Sequence, residues 1–334
     1  MMNILLSTIG RRSYIAEFFR AAGVINVIGT TDRHGLDSEF TVGLLSCNKG
    51  YILPSIESQD YVNAVLELCK VENVGMICSL YDQDCHILSR HLDRFCNIGV
   101  VPFLPSPLVS DICFDKILTD RFLREMNLGS PEVFTSIESF HSSSIRFPVT
   151  VKPRFGFSSL NMFTVKNNRE LMGVFDPEIH IIQEFMYGQE YSFDILTDLD
   201  GKVISCVIKR KLKMRAGETD QGITVRDDRL LDLAVMVGES LGHTGPLDVD
   251  LFVSEDKVYI LEFNPRFGGG YPLSHAAGAR FPELMIEVAQ GKNPKPIIGQ
   301  YQEDIVMMKD IQVITKPLDT LLYLCQKIGQ IDNG

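Results

Sequence analysis

Two adjoining runs constrain the fold most: Gly245-Pro-Leu-Asp248-Val-Asp250-Leu-Phe-Val253 and, after a short link, Val258-Tyr-Ile-Leu-Glu262-Phe-Asn264-Pro-Arg266. Both read as strands. A period of two puts Asp248 and Asp250 on one face of the first, and Glu262 and Asn264 on one face of the second. Asp250, Glu262 and Asn264 can then converge on one point. A few hard oxygens with room for water and phosphate suit Mg2+, and Arg266 beyond them can grip an anion with two donors. Two solvated strands with polar ends are the plain alternative, and the apolar residues that closely flank the carboxylates speak against it.

Other segments gain meaning beside that pair. Phe267-Gly268-Gly269-Gly270-Tyr271 lacks three consecutive Cβ atoms, which permits close backbone approach to an anion or a strained turn. Val151-Lys152-Pro-Arg-Phe-Gly-Phe-Ser158-Ser159 reads as a strand ending in a lysine, then a loop whose amides and hydroxyls could cover phosphates. It is not a Walker A loop, and an ordinary surface turn also fits. In Ile181-Ile-Gln183-Glu184-Phe185-Met186-Tyr-Gly188-Gln-Glu190, apolar residues could sandwich a purine while main-chain groups read its edge. Glu190 would lie near a ribose, though a plain connecting strand is equally consistent. Five cations fall within Lys209-Arg-Lys211-Leu-Lys213-Met-Arg215. In a strand, Lys209, Lys211, Lys213 and Arg215 share one face, either to serve an anionic ligand or to guard a sheet edge. His275 could reach an acceptor site but has no visible base partner.

The first hundred residues alternate strand-like runs (3–7, 24–29, 75–79, 98–102) with helical stretches (13–22, 60–69, 83–95), the rhythm of a parallel sheet covered by helices. A proline-rich connection at 102–107 ends it. A helix at 115–126 and segments at 147–152, 161–165, 169–175 and 179–184 make a small α+β unit. Long antiparallel candidates follow at 190–197, 202–209, 246–253 and 257–263. The expected domains are 1–106, 107–187 and 188–334, with loops 217–225 and 267–278 setting substrate choice. At 334 residues, 45% hydrophobic and 22% charged, the chain supports two or three folded domains. A net charge of -11 argues against nucleic-acid partners, and no apolar stretch is long enough for a membrane span. The first residues read as a strand rather than a signal peptide, and eight cysteines without a CxxC pair read as reduced packing thiols, so a cytoplasmic protein is expected.

Taken in order, Asp115-Lys116, the Lys152 loop, Gln183-Glu184-Phe185-Met186, Glu190, Asp250 and Leu261-Glu262-Phe263-Asn264-Pro265-Arg266 resemble the ATP-grasp superfamily. The likeness spans most of the chain and is nearest to carbamoyl-phosphate-synthase-like and amino-acid-ligase-like members. It implies an α/β and α+β ATP-grasp fold: an N-terminal parallel-sheet pre-ATP-grasp domain, a small α+β lid, and a C-terminal antiparallel-sheet domain, with ATP between lid and C-terminal sheet. Lys116 and Lys152 would contact phosphates, Gln183, Glu184, Phe185 and Met186 adenine, and Glu190 the ribose. Asp250, Glu262 and Asn264 would bind Mg2+, with Mn2+ as the alternative ion, and Arg266 would face the transferring phosphate. From the readings above, Ser158, Ser159 and Lys209 join the cofactor set, and Lys211 joins Lys152 and Arg266 as catalytic.

The implied chemistry is carboxylate attack on the γ-phosphate, giving an acyl phosphate that an amine converts to an amide. Its partners are ATP, a small carboxylic acid and an amine, with a homodimer the default expectation. Bicarbonate or carbamate phosphorylation is the alternative enzyme, and a nucleotide-binding regulatory protein the alternative class. A dinucleotide oxidoreductase is disfavoured because Ser7-Thr-Ile-Gly10-Arg-Arg-Ser13 lacks GxGxxG. Two departures stand out: the loop after Lys152 has one glycine and two phenylalanines where many members are richer in glycine, and Asp250 stands where a longer Glu or Gln is frequent.

Overall fold

In a computed structural model of the chain, the described residues are 2–32, 41–156, 161–215, 217–255 and 257–317, with the backbone of 325–327. Ser158 and Ser159 lie outside them.

Apolar runs in the first hundred residues form β1 (Asn3–Ser7), β2 (Val27–Asp32), β3 (Lys49–Leu53), β4 (Val74–Ser79) and β5 (Val101–Phe103). They pair in parallel in the order β3-β2-β1-β4-β5. Alternation splits the core in two: Ile4 and Leu6 pack with Phe19 of the helix Ser13–Ala21, while Leu5 packs with Val65 and Leu66 of the helix Tyr61–Val71. Each such side chain, fully buried, contributes roughly 1.5–3 kcal/mol. The order reverses between β1 and β4, so a crevice opens at their carboxyl ends.

A smaller antiparallel sheet, β6 (Val133–Phe134), β7 (Val149–Pro153), β8 (Phe163–Val165) and β9 (His180–Glu184), runs β6-β9-β7-β8 over a core that includes Phe134, Phe140 and Val151. The third sheet comprises β10 (Gln189–Thr197), β11 (Val203–Arg215), β12 (Glu218–Thr224), β13 (Gly245–Ser254), β14 (Lys257–Asn264) and β15 (Val306–Met308), in the antiparallel order β14-β13-β10-β11-β12-β15. The helix Asp228–Leu241 covers it, capped by the Asp227 carboxylate, which accepts from the amides of Arg229 and Leu230. Its Leu230, Ala234 and Val237 meet Ile195 and Ile208 in one core. A last strand, β16 (Cys325–Lys327), joins the parallel sheet beside β3. Among the described residues no helix is long and apolar enough to cross a membrane, and Cys47, Cys69, Cys78, Cys85, Cys96, Cys113 and Cys206 are free thiols.

Three local expectations change. Residues 217–225, read as a loop, include strand β12. Thr219, Asp220 and Gly222 give no apolar alternation, and pairing with β11 and β15 decides the conformation. The helix expected at 83–95 breaks into Asp82–Leu88, a 3-10 turn Ser89–His91 and Leu92–Cys96; Ser89 Oγ donates back to the His86 carbonyl at 2.8 Å, competing with the helical ladder. The cations of β11 do not keep one face, because its register against β12 shifts around Lys213. Lys209 and Lys211 are buried, Lys213 is exposed, and Arg215 turns to Asp220 at 2.7 Å.

Gly188 links β9 to β10 with φ +137°, and a Cβ there would stand 2.4 Å from the Val253 carbonyl oxygen. Gly188→Ala is therefore expected to destabilise by about 2–4 kcal/mol. A lower urea midpoint at unchanged m-value is the readout, and an unmoved midpoint would refute it.

Candidate active site

The three sheets meet around a cleft of about 950 Å³. Its floor is the β13–β14 pair, whose register sets Asp250 opposite Glu262 and Asp248 opposite Asn264. All four side chains thus share one face, and all line the cleft. Lys211 reaches in from β11, its Nζ 2.6 Å from Asp250 Oδ1 and 2.8 Å from Glu190 Oε1. Burial alone would push the Lys211 ammonium down; Asp250 and Glu190 outweigh it and hold its pKa up. Burial raises the pKa of Asp250, Lys211 opposes the rise, and Asp248 and Glu262 reinforce it. Glu262 accepts no hydrogen bond from any described residue.

The opposite wall carries two lysines. Lys152, at the end of β7, is 8% exposed, and burial pushes its pKa down to about 8, with Glu262 opposing and Lys116 assisting. Lys116 is lowered in the same direction by burial, and its Nζ donates to the Gly156 carbonyl at 2.9 Å. Asp115 anchors this corner, accepting from Arg154 Nε at 2.9 Å and Nη2 at 2.6 Å. Gln183, Glu184, Phe185 and Met186 line the cleft where β9 leads toward β10, and Glu190 follows them.

Two predicted residues are elsewhere engaged. Lys209 is 1% exposed and does not line the cleft; its Nζ sits 2.6 Å from Asp194 Oδ2 and 3.8 Å from Asp248 Oδ1. Arg266 lines the cleft, yet its guanidinium is held by Asp82 (3.0 Å), Asn264 Oδ1 (3.0 Å), the Phe267 carbonyl (3.1 Å) and Asp248 (3.5 Å). It orients the Asn264 side chain and ties the carboxylate floor to the parallel sheet. His275 stacks on Phe18 with ring centroids 3.7 Å apart, outside the cleft lining.

The glycine run is explained by close approach. A Cβ on Gly268 would lie 2.6 Å from the Asp248 carboxylate, and one on Gly270 would lie 3.1 Å from Lys209 Nζ. The missing side chains let this loop pack over buried charges of the protein itself.

Sequence reasoning missed Thr8 to Arg12, Tyr81 and Asp82 at the ends of β1 and β4, while Glu218 and Thr219 of β12, in the segment expected to set substrate choice, face the same far end of the cleft. The Arg11-Arg12 pair after the first strand was a usable signal, since ligands bind at carboxyl ends of parallel strands.

Buried ammonium groups facing oxygen donors across a cleft can cradle a polyphosphate and its metal ion. The ATP-grasp domain family matches residues 113–270, and the PylC-like, N-terminal domain family matches residues 4–103. Residues 113–270 are an ATP-grasp domain. That span carries both cleft lysines, the hinge and the carboxylate floor. Among curated relatives, the carbamoyl phosphate synthase large chain of Thermoanaerobacter sp. (strain X514) is 23% identical over 207 residues, 56% of this chain and 19% of that one. The D-alanine--D-alanine ligase of Lacticaseibacillus casei (strain BL23) is 29% identical over 265 residues, covering 72% and 73%. The chain thus spans about a fifth of the synthase's length. The biotin carboxylase domain of Hydrogenobacter thermophilus 2-oxoglutarate carboxylase, solved with MgADP and bicarbonate, superposes with TM-score 0.70 at 13% identity over 92% of this chain and 73% of that one, a likeness of fold. An ATP-grasp domain behind a parallel-sheet domain is thus common to sequence and structure.

Proposed function

We propose that the protein is an ATP-dependent carboxylate–amine ligase that works through an acyl phosphate. The observation that carries this reading is the grouping of Asp250, Glu262 and Asn264 on one face of paired strands, opposite buried Lys152 and half-buried Lys116 in the same cleft.

The donor set fits Mg2+. Among the described residues no three Asp, Glu, His or Cys side chains close into a ready-made cage. Two carboxylates and an amide oxygen leave positions for water and phosphate, as Mg2+ prefers. Asp248 and Glu262 also raise the cost of ionising Asp250, which a divalent cation would relieve. Bound there with ATP, the ion would neutralise phosphate charge.

The chain's own residues supply the rest. Lys116 and Lys152 bind the phosphates and stabilise charge on the phosphoryl group in transfer. Gln183 to Met186 hold the adenine, and Glu190 the ribose. Lys211 bridges Glu190 and Asp250 and so couples the sugar end of the nucleotide to the metal ligands. A substrate carboxylate oxygen attacks the γ-phosphorus as the bond to ADP breaks. An amine nitrogen then attacks the acyl carbon, the carbon–phosphate bond breaks, and phosphate leaves as the nitrogen gives up its proton. Positioning and charge neutralisation carry the rate, without a protein nucleophile.

The test is ADP release from Mg-ATP with single carboxylic acids, each with and without a second amine. Release that requires one organic acid, with an amide as product, is the expected result. Release driven by bicarbonate alone would replace this reading with bicarbonate phosphorylation. Tight Mg-ATP binding with no release under any of these conditions would favour a regulatory nucleotide site.

A further inference from the structure

Past the carboxylate floor the cleft runs on to the carboxyl ends of β1, β2 and β4, between the parallel sheet and β12. Charged groups of both signs line this inner end, and their bonding is unequal. Arg12 is engaged: its Nη1 donates to the carbonyls of Leu80 at 2.7 Å and Phe267 at 2.9 Å, and its Nη2 lies 3.6 Å from Glu218. Arg266 is engaged as described. Glu218 has Lys309 Nζ at 3.2 Å as a second partner.

Asp82 differs. It is 4% exposed and lines the cleft; its Oδ2 accepts from Arg266 Nε, while its Oδ1, equally buried, accepts no hydrogen bond from any described residue. A buried carboxylate oxygen without a donor costs about 1–3 kcal/mol or more. No described group donates to Oδ1, so the place is open to a donor that arrives with a ligand. An O–H or an N–H satisfies this oxygen, and a positive N–H also matches its charge.

We infer that the inner end of the cleft is a subsite for a protonated amine, with Asp82 Oδ1 as its acceptor, so the acid bound beside the phosphates carries an ammonium group. This rests on the ligase reading for the identity of the acid, but the subsite is a matter of binding alone. Asp82 is thereby a specificity-determining residue on the parallel sheet, and Arg266 positions it from the other side. Because Arg266 also holds Asn264 at 3.0 Å, filling the subsite is felt at the metal ligands through one guanidinium.

The experiment is calorimetric binding of matched acids to the full chain saturated with Mg2+ and a non-hydrolysable ATP analogue. Each amino acid in a panel of α-, β- and ω-amino acids is paired with the same acid lacking the amine. At least one amino acid is expected to bind roughly 10–100-fold tighter than its deaminated partner, the worth of a charge-assisted hydrogen bond in a buried site. Asp82→Asn is expected to remove most of that ratio. The wild-type ratio stands as a test even if Asp82→Asn folds poorly. Pairs that bind equally, no binding by any amino acid at millimolar concentration, or a ratio untouched in folded Asp82→Asn would each overturn the inference. ADP release separates this from the ligase reading: discrimination in binding without release sinks the ligase reading alone, and release driven equally well by amine-free acids sinks the subsite alone.

Discussion

Glu262→Gln is expected to lower kcat for ADP release by roughly 10²–10³-fold, about 2.7–4 kcal/mol, while the protein stays folded. The carboxylate faces the cleft from β14, opposite Asp250, and accepts no hydrogen bond from a described residue, so the amide leaves no protein donor unpaired. Shape is kept and one negative charge is lost. That charge matters only when a divalent cation and a triphosphate occupy the cleft, which is why catalysis should suffer and the melting temperature should not. Turnover is measured against Mg2+ concentration, and a weakened Mg2+ dependence is expected with the lower kcat. Unchanged turnover would remove Glu262 from the proposed metal set.

Lys152→Met is expected to move activity and stability in opposite directions. The folded-state pKa of about 8 lies below the ordinary 10.5, so the unfolded chain holds this proton more tightly. The charged lysine therefore costs folding stability in full below about pH 8, and the cost fades as pH rises from 8 to 10.5. Its upper size is roughly 3 kcal/mol, so an apolar isostere should stabilise the unliganded protein by about 1–3 kcal/mol near pH 7. The same substitution should cut kcat/KM for ATP by roughly 10²-fold or more, because the charge proposed to bind the phosphates is lost. In the unmodified enzyme, kcat/KM for ATP should fall as pH climbs through about 8, since the free ammonium deprotonates there. Lys152→Arg should flatten that limb. A pH profile level to pH 9.5, or a destabilised Lys152→Met, would contradict the role given to Lys152.

Both predictions concern residues whose placement the sequence made legible. Period-two alternation alone puts Asp250, Glu262 and Asn264 on facing positions, and the paired strands keep that register at all three. A lysine at the end of a short apolar strand is equally readable, because Val149 and Val151 bury one face and carry Lys152 to the edge of the cleft. The parallel sheet follows from runs such as Ile4-Leu5-Leu6, apolar on both faces. These are local signals.

Other parts depend on groups far apart in the chain. Arg266 reads as a free anion grip, but Asp82, 184 residues away, takes its Nε, and Asp248 and Asn264 take the rest. Lys209 and Lys211 look alike in sequence, yet one is enclosed by Asp194 beneath the glycine run and the other faces the cleft. Only the partner strands distinguish them.

The sequence by itself determined the strand and helix rhythm of the parallel sheet and the shared faces of the carboxylate floor. Those follow from side-chain period and local polarity, which act within a few residues. The tertiary structure alone decided the strand at 218–224, the commitment of Arg12 and Arg266, and the unpaired oxygen of Asp82. Those follow from which charges burial forces together, and burial is set by the packing of sheets that the chain visits a hundred or more residues apart.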